Sequence, residues 1–270
     1  MSAGFPFILM KPSASVRQTT HVSIADRARF VLVRFSFVLI AVMVGFSPAL
    51  AADAADVHKP RVALAGDSTV TVTAGWGAAF EELLGARGEC VQLARGGQSS
   101  KSFRDSGNWA KVIESKPDYV LIQFGHNDMP GKGPNRETDP ATTYRENLAR
   151  FVDEARAAGA VPILVTSMAR RTFDKGKIRG ELAPWAEAAR AVAAEKKVPL
   201  VDLFARSVAL LEKLGPDGAA PFDPKTADGK PDHTHLSPEG AKAMARLIAE
   251  ELRKVEPELA KLLAEQGAEK

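Results

Sequence analysis

The chain has a single cysteine, Cys90, so no disulfide forms within it and its stability has to come from a packed core. Cys90 lies in an apolar, strand-like run, where a thiol is usually a small buried hydrophobe rather than a nucleophile. Internal repeats and low-complexity stretches are missing. No Asn-Gly or Asp-Gly joins two adjacent apolar runs, which argues against an all-hairpin fold. Histidine is scarce: His126 with Asp128, and His233 with His235, stand two apart in turn-like segments. Neither pair has the spacing of a zinc site, so a metal is the weaker reading there. Charge is nearly balanced, at +3 over 270 residues.

Most of that positive charge sits at one end. Phe35 to Phe46 is apolar apart from Ser36 and Gly45, with Arg27, Arg29 and Arg34 before it. Pro48 and the small-x-small group Ala49-Leu50-Ala51 follow. This is the pattern of a secretory signal peptide over residues 1–51. The alternative, a transmembrane anchor, needs a longer apolar run to cross about 30 Å of hydrocarbon. The expectation is therefore an exported protein, periplasmic or extracellular, with no membrane contact once the signal is cleaved. The segment holds five Lys and Arg and one Asp, so residues 52–270 carry 31 basic and 32 acidic residues. A near-neutral domain offers no basic surface for nucleic acid. Those residues suit one domain with one sizeable core. Nothing in them signals an oligomeric state.

Apolar runs end repeatedly on polar, Gly-containing groups. Arg61–Ala65 reads as a strand that stops on Gly66-Asp67-Ser68-Thr69, with a helix over Gly77–Leu84. Cys90–Leu93 is a second strand, running into the loop Ala94–Ser100, with one short helix expected over Ser106–Ser115. Tyr119–Phe124 is the clearest buried strand, ending in Gly125-His126-Asn127-Asp128. Ala141–Ala158 has Tyr144, Leu148, Phe151, Val152 and Ala155 at helical spacing, closed by Gly159. Val161–Thr166 and Pro199–Asp202 are further strands. Helices are expected over Glu181–Lys196, Leu203–Leu214 and Ser237–Lys254, with a helical tail over Glu256–Glu265. Alternating strands and helices predict a parallel sheet covered on both faces. Right-handed crossovers then gather every polar strand end on one edge, where ligands bind in such folds.

The chemistry on that edge is suggestive. Ser68 is a candidate nucleophile, which needs a base and a site for developing negative charge. A helix N-terminus just beyond it would supply part of the latter. Gly97 lets backbone N–H approach a ligand, and the Asn127 amide can donate to an oxyanion. Asp232, three residues before His235, can orient its ring and stabilise the imidazolium. Each taken singly is also an ordinary turn or helix cap.

Together they resemble the SGNH (GDSL-type) hydrolase superfamily, whose four named residues match Ser68, Gly97, Asn127 and His235. The set is most similar to the rhamnogalacturonan acetylesterase-like branch. Gly66-Asp67-Ser68-Thr69, the Gly97-x-Ser99-x-x-Ser102 loop and Phe124-Gly125-His126-Asn127-Asp128 carry that likeness. So does Asp232-His233-Thr234-His235-Leu236-Ser237, followed by Gly240-Ala241. The resemblance runs from about Arg61 to Leu252. It implies a flavodoxin-like three-layer α/β/α fold on a central five-stranded parallel sheet, with no metal or organic cofactor. It also implies a Ser68–His235–Asp232 triad, an oxyanion hole from Ser68, Gly97 and Asn127, and an acyl-serine intermediate.

The expected substrate is an acetylated polysaccharide or oligosaccharide, rhamnogalacturonan or another pectin foremost. Arg170 and Arg171, with Lys175, Lys177 and Arg179, would form a basic rim for an acidic polymer. Trp76 is a candidate for stacking on a sugar ring, and His126 for touching the substrate. Other readings are an acetylxylan or other carbohydrate esterase, a lipase- or thioesterase-like enzyme, and a catalytically silent carbohydrate-binding protein.

Overall fold

The first strand is β1, Arg61–Gly66, an interior strand in which every residue after Arg61 is buried. Such a strand has helices on both faces, as parallel sheets do. In a computed structural model describing residues 58–264, β1 lies between β2 (Glu89–Gln92) and β3 (Tyr119–Gln123). Beyond β3 come β4 (Val161–Val165) and β7 (Leu200–Val201), all parallel, in the order β2-β1-β3-β4-β7. The putting together of these strands gives the expected five-stranded parallel sheet. The residues read as a signal peptide, 1–51, lie outside the described ones.

The alternation of side chains along each strand feeds two cores. Val62 and Leu64 of β1, Leu121 of β3 and Ile163 of β4 pack with α1 (Gly77–Leu84), α6 (Leu203–Ala219) and α7 (Pro238–Val255). Ala63 and Ala65, Val120 and Ile122, and Leu164 face the other way. They meet α3 (Asn108–Glu114), α4 (Thr143–Ala157) and α5 (Ala183–Lys196). The result is a three-layer α/β/α sandwich. On α4 the buried residues are Tyr144, Leu148, Phe151, Val152 and Ala155, the predicted stripe. Burying each large side chain of this kind contributes about 1.5–3 kcal/mol. Phe151 also stacks on Phe124 at 5.5 Å, which fixes α4 against the end of β3.

The order of strands reverses at β1. Its crossover leads outward to β2, whereas β3 leads the opposite way to β4. The crevice outside the carboxyl ends of β1 and β3 is therefore the place where two loops part, and it is where such folds bind ligands. Ser68 follows β1 and Asn127 follows β3, so the topology alone delivers both to this crevice.

Several local expectations are corrected. Two short helices, α2 (Ser100–Asp105) and α3, replace the single one expected over 106–115. α2 opens on a reciprocal capping box: Ser99 Oγ accepts from Ser102 N–H while Ser102 Oγ accepts from Ser99 N–H. A small hairpin joins β5 (Phe173–Asp174) and β6 (Lys177–Ile178) in a segment expected to be loop. Its two turn residues, Lys175 and Gly176, are both left-handed (φ 49° and 79°), as a two-residue hairpin requires. Lys stands where Asn or Asp would have given the turn away. α6 continues past Leu214, but Gly215 is non-helical (φ 69°, ψ 177°) and Pro216 follows, so the chain kinks at the expected end.

Candidate active site

No helix starts at Ser68. A coil of tight turns follows β1, with Val70 N–H bonded to Asp67 O and Thr71 N–H to Ser68 O. α1 begins only at Gly77, too far along to place its dipole on Ser68, which corrects that expectation. The coil is compact because its glycines have no Cβ. A Cβ on Gly75 would come within 2.1 Å of Thr69 backbone, and one on Gly77 within 2.2 Å of Val70 O.

Ser68 is held from below by buried polar groups. Asp67 Oδ1 accepts from Thr69 N–H (2.9 Å) and Thr69 Oγ1–H (2.7 Å). Thr69 Oγ1 in turn accepts from Gln123 Nε2 (2.7 Å), and Gln123 Oε1 accepts from Trp76 Nε1–H (3.0 Å). Trp76 is fully buried and packs edge-on against Phe80, so it cannot stack on a sugar. Its place in the sequence, near Ser68, put it in the right region but on the inner side of the coil. His126 is likewise buried, with Nδ1 3.7 Å from Asp67 Oδ2, and its ring offers almost no surface to a ligand. Burial pushes the Asp67 carboxyl up, but the His126 ring and the two Thr69 bonds outweigh it and hold the group below the usual carboxylate range.

His235 arrives from the other end of the chain. Its Nδ1–H donates to Asp232 Oδ2 at 2.7 Å, which leaves Nε2 to accept from Ser68 Oγ–H at 2.9 Å. Asp232 Oδ1 accepts from the N–H groups of Thr234 (2.8 Å) and His235 (3.1 Å). Burial raises the Asp232 carboxyl, yet these bonds from His235 and Thr234 lower it further, to about 2. The anion is thus locked in place where it can steady an imidazolium.

Asp232 is ionised in the folded state between about pH 2 and 3.8, where the unfolded chain holds the proton. Its contribution to stability is complete above the ordinary 3.8 and lost as pH falls toward 2. Asp232→Asn is expected to flatten the fall of Tm across that window. Identical slopes in wild type and variant would contradict this assignment.

Arg171 is what fixes the His235 loop. It is buried, its Nε–H donates to Asp223, and its Nη2 donates to the carbonyls of Asp232 (2.9 Å) and His235. Its backbone N–H donates to His233 O (2.9 Å). Asp223 Oδ2 also meets His233 Nδ1 at 2.6 Å. Arg171 is therefore no part of a basic rim. It fastens the β4 loop to the His235 loop, and its guanidinium is spent on doing so. Leu236 N–H to Ala74 O, and Ser237 N–H to Phe222 O, tie the same segment to the Ser68 coil and to the end of α6. Ser237 Oγ then caps α7 by accepting from Gly240 N–H (3.1 Å). Arg170 is half-buried and reaches Met129 Sδ at 4.0 Å, across to the loop that carries Asn127.

The remaining groups gather beside Ser68. Arg95 N–H donates to Gly66 O, pinning the next loop to the end of β1. Gln98 N–H donates to Arg95 O, closing a turn with Gly97 at φ 75°, a left-handed position that favours glycine. This turn lies against Ser68: a Cβ on Gly96 would be 3.8 Å from Ser68 Cβ. Asn127 Nδ2 donates to Gln98 O at 3.1 Å, and its second N–H is left over. Gly125 makes the turn that aims Asn127 possible. Its φ is 148°, and a Cβ there would be 2.3 Å from Ser167 Oγ.

Asp128 closes the far side. Its Oδ1 accepts from Ser100 N–H (3.1 Å), Ser100 Oγ–H (2.5 Å) and Thr138 Oγ1–H (2.9 Å). Burial pushes this carboxyl up to about 7 against those bonds, and the charge of Asp67 adds to the rise. The sequence offered a signal for this tie in Ser99-x-x-Ser102, a capping pattern that begins a helix inside an apparent loop. Burial, with the charge of Glu81, pushes the Cys90 thiol up to about 12, which keeps it protonated and poorly nucleophilic.

A serine hydroxyl, an imidazole aimed at it and a carboxylate behind the imidazole, at the switch point of a parallel sheet, are the equipment of a hydrolase with a serine nucleophile. The sequence agrees. Residues 64–243 match the GDSL-like lipase/acylhydrolase family, and the chain belongs to that family as a carboxylic ester hydrolase. Among its relatives is the rhamnogalacturonan acetylesterase RhgT of Bacillus subtilis, 38% identical over 213 residues, covering 72% of this chain and 90% of that protein. A probable rhamnogalacturonan acetylesterase of the same organism, YesY, is 32% identical over 203 residues, covering 72% and 93%. Of solved structures, protein YxiM of B. subtilis superposes with a TM-score of 0.63 at 27% identity, over 73% of this chain and 56% of the other.

Proposed function

We infer that the protein is an exported carbohydrate acetylesterase that removes O-acetyl groups from a pectic polysaccharide, rhamnogalacturonan foremost. The observation that carries the mechanism is the unbroken relay Ser68–His235–Asp232 at 2.9 and 2.7 Å. Ser68 Oγ attacks the ester carbonyl as His235 Nε2 takes its proton. The developing oxyanion is met by the Ser68 and Gly97 N–H groups and the Asn127 amide. His235 returns the proton to the departing sugar hydroxyl. Water, activated by the same imidazole, then releases acetate from Ser68.

Likeness to RhgT over 90% of that protein's length supports the substrate class. So does exposure: Ser68 and His235 are both part-exposed on an open edge, which suits a polymer lying across the surface better than a buried acyl tail. Export rests on residues 1–51 acting as a cleaved signal.

Acetate release from acetylated rhamnogalacturonan, acetylated xylan and p-nitrophenyl acetate tests this reading. Release from the pectic polymer at a kcat/KM about tenfold or more above that for xylan is expected. Activity confined to the aryl ester would remove the substrate claim and leave the mechanism.

A further inference from the structure

Beside the Arg171–Asp223 pair opens a cleft of about 470 Å³. That is within the range of small-ligand sites. Its walls combine two kinds of group. Phe173, Pro216 and Pro231 offer flat apolar faces, while Arg179, Lys225 and His233 offer donors.

The donors keep capacity for a ligand. Arg179 has a side chain 61% exposed, and its nearest acidic oxygen, on Glu181, is 3.9 Å away, beyond a hydrogen bond. Lys225 is exposed, with no ion pair among the described residues. His233 gives Nδ1 to Asp223 and keeps Nε2. The one carboxylate in the lining, Asp223, is already consumed by Arg171 and His233. Arg171, Arg179 and Lys225 outnumber Asp223 and the Glu181 carboxylate beside Arg179, so the charge around the cleft is net positive.

The frame is also stiff. Lys225 pairs with Pro231 in a β-bridge, Asp232 N–H donates to Pro224 O (2.8 Å), and Arg179 N–H donates to Thr172 O (3.0 Å). Flat apolar faces pack against the C–H face of a pyranose, and a cluster of cations takes a carboxylate. A uronic acid residue carries both features on one ring.

We propose that this cleft is a subsite for a uronic acid residue of the polymer, a short stretch along from the acetylated residue at Ser68. His233 in its wall is two positions from His235, so their Cα atoms are at most about 7 Å apart. One chain can thus occupy the cleft and present an ester to Ser68. The proposal rests on the polysaccharide reading above and adds to it the residues that select an acidic polymer.

The test is the double variant Arg179→Gln/Lys225→Gln, whose two positions are exposed and outside the triad. Its KM on acetylated rhamnogalacturonan should rise by about tenfold, the loss expected for charge-assisted bonds to a carboxylate. On acetylated xylan and p-nitrophenyl acetate its kinetics should stay within about twofold. Equal shifts on all three substrates, or none on the first, would overturn the subsite.

A second arm separates this from the broader reading. Unacetylated oligogalacturonide is titrated into Ser68→Ala protein with and without the double change. Binding that is lost on neutralising Arg179 and Lys225 supports the subsite even if acetylated xylan proves the better substrate, in which case only the pectic reading falls. No binding of oligogalacturonide to the Ser68→Ala protein overturns the subsite itself.

Discussion

Ser68→Ala is expected to lower kcat on p-nitrophenyl acetate by roughly 10⁵–10⁶-fold, with the fold intact. Among the described residues the Ser68 side chain makes one hydrogen bond, to His235 Nε2. Its removal leaves Asp67 bonded to Thr69, Gln123 bonded to Thr69 and Trp76, and the His235–Asp232 pair in place. Tm should therefore move by no more than about 2–4 °C, the shift of about 1 kcal/mol in a domain of this size. Residual catalysis would come from the oxyanion donors and from binding alone. Measuring kcat and Tm on the same preparation separates chemistry from folding. Retention of more than about 1% of kcat would mean that another group attacks the ester.

Arg171→Met should be costly in a different way. It leaves Asp223, whose side chain is 6% exposed, without its guanidinium, and frees the carbonyls of Asp232 and His235. Removing one partner of a buried pair costs about 3–5 kcal/mol. With the loop loosened, His235 loses its aim at Ser68, so kcat should fall on every ester, aryl acetate included. A residue at the substrate rim would instead raise KM on the polymer alone. Arg171→Met/Asp223→Leu should regain much of the stability, since an apolar pair of similar bulk avoids the stranded charge. It should not regain kcat, because nothing then holds the two carbonyls. Denaturant unfolding and steady-state kinetics on both variants decide it. An unchanged unfolding midpoint for the single variant would refute the fastening role.

The contrast between Ser68 and Arg171 explains how much of this site is readable in the chain itself. Ser68, Gly97, Asn127, Asp232 and His235 each sit at the end of a recognisable apolar run or the start of a helix. Sheet topology does the rest, because parallel strands put those ends together. β1, β3 and α4 are visible because uninterrupted apolar runs and a 3.6-residue stripe have few other interpretations. Side-chain direction within a loop has no such marker. Trp76 and Arg171 stand at the right edge of the sheet, but one turns inward to Gln123 and the other to Asp223, 52 residues away. Neither partner is marked in the sequence. The two-residue strands of the Phe173–Ile178 hairpin are likewise too short to leave a periodicity.

Ser68 and His235 are separated by 167 positions, and Asp232 and α7 come with the histidine. A chain is synthesised from its N-terminus, so Ser68, the Gly97 and Asn127 loops proposed to meet the oxyanion and all five sheet strands exist before the proposed base has been made. Until the last quarter of the polypeptide emerges and α7 docks, the growing protein is a sheet with an unarmed serine. On the proposed mechanism, hydrolytic competence is a readout of completion: a product ending between residues 69 and 232 would carry the Gly-Asp-Ser-Thr sequence and no activity.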